Sequence, residues 1–259
     1  MKHPALVPVG RPNPATASRT ALLVHGTMDR STSFRAVGRH LPEWTVLAYD
    51  RRGWGASRDL GGAGTVVRDH VDDLCELLLQ TPGAVVAGHS YGGMVALDAA
   101  ARRPELFGGL VLYEPPLRWL PWWPADAKWE LLVRAAPDPD AAAEALLRAV
   151  LGDQGWTRLG SRLQRNLLLD GPALLTEMND KTQDLVTFDP VEMRVPTVVA
   201  AGETSAPHHR EVSRRLAALL PNGQFWDVPE AGHTAHVTHP QAFAGLIERA
   251  AMPIGQGTR

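Results

Sequence analysis

The chain contains a single cysteine, Cys75, so it can form no internal disulfide, and nothing in its thiol content points to an oxidising compartment. Its start does not have the shape of a secretory leader. Lys2 is followed by Pro4, Pro8, Pro12 and Pro14 in place of the apolar run such a segment needs. Apolar stretches of about 20 residues, the length a membrane-crossing helix requires, are missing. An excess of either charge is missing too: 26 basic and 28 acidic residues leave a formal charge of −2. The basic residues are nearly all arginine and lie scattered, without the patch a nucleic-acid or anionic-membrane binder presents. Neither a GxxxxGK[ST] phosphate loop nor a GxGxxG turn occurs, so no nucleotide cofactor is implied. The expectation is a cytoplasmic protein acting on a small molecule, without cofactor, metal, nucleic acid or membrane, its oligomeric state left open.

What remains is an ordinary globular composition, 44% apolar and 21% charged, enough for one well-buried domain. Short apolar runs at 20–25, 45–49, 84–88, 109–113, 196–201 and 224–228 alternate with helical patterns. These runs lack polar alternation, as expected of parallel strands covered on both faces. Helical spacing recurs in Val67, Val71, Leu74 and Leu78, in Val212, Leu216 and Leu219, and in Phe243, Leu246, Ile247 and Ala250. Pro240 suits a first helical turn, and Cys75 falls where buried packing is expected. Residues 116–190 break the rhythm. They open with prolines and with Trp119, Trp122, Trp123 and Trp129, then continue with helix candidates at 140–150, 158–169 and 172–181. The division expected is a core of 1–115 and 191–259 carrying a helical cap insertion, 116–190. The tryptophans read mainly as packing between cap and core, with at least one facing an apolar substrate.

Gly88-His89-Ser90-Tyr91-Gly92 fits the G-x-S-x-G elbow, between an apolar run and a helical segment. Such a turn exposes the serine hydroxyl on strained backbone, and the glycines two residues away avoid collisions. The helix that follows directs its first N–H groups at developing negative charge. His25-Gly26-Thr27-Met28 follows another strand, so the backbone N–H of Thr27 or Met28 could join that of Tyr91 in an oxyanion hole. Serine needs a base of near-neutral pKa, and His233 in Gly232-His233 supplies one after the last strand. His236 and His239 share its residue type, and the three together form a metal set on paper. They lack an HExxH arrangement or an obvious fourth ligand. Asp50, in Asp50-Arg51-Arg52-Gly53-Trp54-Gly55-Ala56-Ser57, reads as the acceptor of a glycine-pinned turn.

Taken in order, HGTM, DRRGWGAS, GHSYGG and the late GH resemble the α/β-hydrolase superfamily, from Thr20 to Ala250, specifically its esterase and haloperoxidase-like members with a helical cap. The resemblance implies an α/β fold with a mostly parallel twisted sheet flanked by helices. It implies a serine hydrolase with Ser90 as nucleophile and His233 as base. The family's sheet usually has eight strands, but residues 1–19 leave room for one or two short early ones. The usual acid follows the seventh strand in a G-x-x-D pattern. Here that segment is Gly202-Glu203-Thr204-Ser205, and serine cannot supply the charge that orients the histidine. Glu114, after the strand ending at Tyr113, is the preferred acid, since some members place it there. Glu203 is its rival, and an ion pair between Glu114 and Arg118 is the non-catalytic reading.

A small or medium, largely apolar carboxylic ester is the expected substrate. Thioester or C–C bond hydrolysis on the same triad, or a non-hydrolytic binding protein with a weakened triad, are the alternatives.

Overall fold

Runs rich in valine, leucine and alanine form the sheet, because β-branched and small apolar side chains fit a surface covered from both sides. The structure, a computed structural model, describes residues 2–12, 17–62, 64–120, 123, 128–185 and 189–252, with the side chains of 128 and 129 left aside. Seven strands are present among these residues: β1 (Val7–Pro8), β2 (Arg19–Val24), β3 (Trp44–Tyr49), β4 (Ala84–His89), β5 (Phe107–Tyr113), β6 (Thr197–Gly202) and β7 (Gly223–Val228). Their order is β1-β3-β2-β4-β5-β6-β7, and only β1 runs antiparallel to its neighbour. Each run expected to be a strand is one, to within two residues. The early segment supplies one short strand.

Helices α1 (Arg35–Arg39), α2 (Val67–Leu79) and α3 (Tyr91–Arg102) cross between the strands of the first half. Between β5 and β6 lie α4 (Lys128–Arg134), α5 (Pro139–Arg158), α6 (Ser161–Leu168) and α7 (Gly171–Asn179). Beyond β6 come α8 (Pro207–Leu219), α9 (Ala235–Thr238) and α10 (Pro240–Ala250). Pro240 is the first residue of α10, as its fixed φ favours. The helix candidate at 140–150 extends to Arg158 with a break at Gly152, whose φ is +72°. Helix α4 was not among the expected elements.

The period of two in the strands splits the core. Leu22, Val24, Val86, Leu110 and Leu112 face α2, α3 and α8, while Ala21, Leu23, Val85, Val111 and Tyr113 face α1 and α10. A third cluster joins Val133, Ala142, Leu146, Trp156, Leu174 and Met178 of the inserted helices to Met28 and Trp54 of the core loops. The insertion therefore packs over the loops at the carboxyl ends of the strands, where α/β proteins gather their sites. Trp119 and Trp123 are partly buried against the main core. Trp122 and the Trp129 side chain lie outside the described residues. Cys75 is half-buried rather than buried, and its partial burial raises the thiol pKa.

Candidate active site

Strand β4 is buried along its whole length and α3 begins at Tyr91, so Ser90 alone makes the turn between them. Its φ of +52° and ψ of −124° are disfavoured for a residue with a Cβ. The Ser90 N–H donates to Tyr113 O at 2.8 Å, and the Ser90 carbonyl accepts from the Gly93 N–H at 2.8 Å. The surrounding glycines answer to backbone contact. A Cβ at Gly88 would fall 2.4 Å from Gly92 O, and one at Gly92 would fall 2.3 Å from Val24 O. Tyr91 opens α3, so its N–H belongs to the first turn, which has no intrahelical acceptors.

The loop after β2 comes close to this elbow because residue 26 is glycine: a Cβ there would stand 3.0 Å from both Ser90 Cβ and His89 Nδ1. Buried His25 donates from Nδ1 to Gly26 O at 2.8 Å and accepts the Arg51 N–H at Nε2, also at 2.8 Å. Burial and the neighbouring Arg51 charge lower its pKa to about 4, so it is a neutral structural ring. The Arg51 guanidinium donates to His25 O at 2.9 Å and to Gly26 O at 3.0 Å. Met28 then turns left-handed at φ +55°. The backbone N–H groups of Thr27 and Met28 have no acceptor among the described residues. Asp50 accepts the Ser31 and Ala56 N–H groups at 2.7 and 2.8 Å, as a turn-pinning carboxylate would.

Glu114 directly follows β5, is fully buried and has a φ of +49°. Its Oε1 accepts the Gly202 N–H at 2.8 Å, and its Oε2 lies 2.5 Å from His233 Nδ1. Burial alone would push this carboxyl up. The hydrogen bond and charge of His233 outweigh it and hold the pKa below the usual value, with a smaller contribution from Ser205. The occluded Ser205 Oγ makes no hydrogen bond of good geometry. Glu203 turns outward and accepts the Glu230 N–H at 3.0 Å, while Arg118 pairs with Glu130 at 2.8 Å and does not reach Glu114. With its Nδ1–H given to Glu114, His233 keeps Nε2 as an acceptor. Ser90 Oγ and this nitrogen are not hydrogen-bonded to each other. Such bonds are often loose before substrate binds.

The loop bearing His233 is fastened by groups the sequence did not point to. Tyr113 Oη donates to Gly232 O at 2.7 Å, Thr204 Oγ1 to Ala231 O at 2.8 Å, and His89 Nε2 to His233 O at 2.8 Å. His209 stacks on His233 with ring centroids 4.7 Å apart, and burial lowers the His209 pKa to about 3. Nothing in the spacing of these residues marks them, because they meet only through the fold. His233, His236 and His239 do not form a common metal set. His236 pairs with Asp29 at 3.1 Å, and His239 bonds Thr238 at 2.9 Å. Among the described residues two other groups hold potential ligand atoms within 4.8 Å of one another, Asp29-His89-His236 and Glu114-His209-His233, each already containing a hydrogen-bonded acid–histidine pair. A cavity of about 230 Å³ is lined by Arg52, Trp54, Arg58, His70, Thr176 and Glu177 among others, but by neither Ser90 nor His233.

Residues 21–246 match the model of the alpha/beta hydrolase family. Lipase LipV of Mycobacterium tuberculosis is 37% identical over 109 residues, a match that spans 41% of this chain and 41% of LipV. The uncharacterized hydrolase YugF of Bacillus subtilis is 24% identical over 253 residues, 88% of each chain. Among solved structures, a thermophilic esterase from Thermogutta terrifontis superposes with a TM-score of 0.66 at 22% identity, over 95% of this chain and 92% of that one.

Proposed function

The chain belongs to the α/β-hydrolase family and is a hydrolase, and on that ground we propose that it cleaves small or medium, largely apolar carboxylic esters through an acyl-enzyme on Ser90. Ser90 Oγ attacks the carbonyl carbon while His233 Nε2 takes the hydroxyl proton. The tetrahedral oxyanion receives hydrogen bonds from the backbone N–H groups of Thr27 and Tyr91. Collapse expels the alcohol, which leaves with the proton from His233. Water then attacks the acyl-enzyme by the same route, releasing the carboxylic acid and restoring Ser90. Glu114 fixes the histidine tautomer and stabilises the imidazolium formed in each half-reaction. In this reading residues 116–190 act as a cap over the site, and the apolar character of their inner face favours an apolar acyl group.

The observation that supports this best is the 2.5 Å contact between Glu114 and His233, which supplies a buried carboxylate although Ser205 stands where the family usually has aspartate. A protein that only bound ligands would have no use for an ionised, fully buried glutamate aimed at a histidine beside a strained serine turn. The test is fluorophosphonate labelling read by intact mass on wild type, Ser90→Ala and Glu114→Gln, together with turnover of p-nitrophenyl esters. One adduct on wild type, none on Ser90→Ala and slow labelling of Glu114→Gln are expected. An unlabelled wild type that turns over no ester would overturn the reading.

A further inference from the structure

The loop that carries Thr27 is held by a residue of the insertion. Glu177 lies in α7, 126 residues from Arg51 and 150 from Thr27 in sequence, yet one of its carboxylate oxygens binds this loop and the other binds the arginine that braces it. Oε1 accepts the Thr27 hydroxyl at 2.9 Å, and Oε2 accepts from Arg51 Nη1 at 2.5 Å. Arg51 in turn donates to the carbonyls of His25 and Gly26, which fixes the peptides immediately before Thr27. Its guanidinium also lies 4.5 Å from the ring centroid of Tyr91, whose N–H begins α3. Arg51 is fully buried, and the Glu177 side chain is 6% exposed. A buried guanidinium needs a paired anion. That anion could have come from the core, but it comes from the insertion, and its second oxygen takes the hydroxyl of Thr27, the residue directly after the glycine that lies against the elbow.

We propose that Glu177 is a positioning residue that, through Arg51 and the Thr27 hydroxyl, sets the oxyanion-hole geometry and makes it depend on the docking of α7. This rests on the reading of Thr27 and Tyr91 as the oxyanion donors. The oxyanion develops only as the carbonyl is attacked and is absent from the bound ester, so a loosened loop lowers kcat and leaves KM nearly unchanged. It also weakens a transition-state analogue more than a substrate.

The experiment uses the full chain, p-nitrophenyl butyrate as substrate and an aryl boronic acid as the transition-state analogue. Glu177→Gln keeps an acceptor for Thr27 but leaves the buried Arg51 charge without its partner, which costs stability; Thr27→Val removes only the hydroxyl bond and carries the decision. Thr27→Val at an unchanged thermal midpoint is expected to lower kcat about tenfold with KM within about twofold. Boronate affinity falls in parallel with kcat, and Thr27→Ser restores both. Wild-type kcat in Thr27→Val, or a change confined to KM, overturns the proposal while labelling of Ser90 in wild type leaves the esterase reading standing. An unlabelled, inactive wild type overturns both.

Discussion

Glu114 and His233, 119 residues apart in the chain, meet at 2.5 Å, and the same carboxylate takes the N–H of Gly202 with its other oxygen. The acid thus bridges the ends of β5 and β6 and the histidine loop, and it approaches His233 from one strand earlier than the segment ending in Ser205.

Replacing Glu114 by glutamine keeps the size of the side chain but removes the charge that stabilises the imidazolium and the preference for the Nδ1–H tautomer. A fall in kcat on the order of 10³-fold or more is expected. Steady-state kinetics on a p-nitrophenyl ester measure it. Adding Ser205→Asp to that variant puts a carboxylate beside the same site and should recover about tenfold or more of the loss. Failure to recover would mean that position 205 no longer addresses the ring.

Acid should unfold the protein from a pH at which most carboxylates are still charged. His209 is neutral in the fold down to about pH 3, whereas in the unfolded chain it takes up a proton near pH 6.5. Between those values the unfolded state binds more protons, so stability is complete above about pH 6.5 and is lost as pH falls. One such histidine contributes a slope of up to about 1.4 kcal/mol per pH unit. His25, neutral down to about pH 4, adds to it over an overlapping range. Urea denaturation at a series of pH values should show His209→Phe with a shallower loss between pH 6 and 4 than wild type, by on the order of one proton's slope.

Tyr113→Phe removes the hydroxyl that donates to Gly232 O without changing the ring packed in the core. A stability loss of about 1 kcal/mol is expected. The fall in kcat should be larger than the fall in stability suggests, because the released carbonyl lies next to His233. Thermal melts and kinetics on the same preparation separate the two effects.

Gly92→Ala should damage folding before it affects chemistry. The added methyl would meet Val24 O at 2.3 Å and His25 O at 2.6 Å, both backbone atoms that cannot rotate away. Destabilisation of about 2 kcal/mol or more is expected from such overpacking, read as a lowered urea midpoint.

The sheet was legible because its strands are buried on both faces and so write themselves as unbroken apolar runs. The turn at Ser90 was legible because it needs glycine at fixed offsets, and the pairing of Glu114 because a carboxylate straight after a buried strand must have a partner. The end of α5 was not legible: Gly152 interrupts its pattern without ending it. Helix α4 follows a proline- and tryptophan-rich opening that carries no helical period. Glu177, His89, His209 and the pairing role of Arg51 were invisible for a different reason. A buried ion pair between residues 126 apart leaves no local trace, since each partner alone looks like any surface charge.

Among the described residues, four with side chains adopt a positive φ: Met28, Ser90, Glu114 and Glu230. Each left-handed position of this kind costs on the order of 1 kcal/mol or more, so the strain is concentrated just beyond the carboxyl ends of β2, β4, β5 and β7. Attempts to raise heat tolerance by relieving strain will therefore find unequal opportunities. Glu230→Gly relaxes backbone at a site whose side chain has no hydrogen-bond or ionic partner among the described residues, so its gain is set against only the greater freedom of glycine in the unfolded chain. The same relief at Ser90 or Glu114 would delete the side chain that the bend exists to present, which leaves those two positions closed to thermal adaptation.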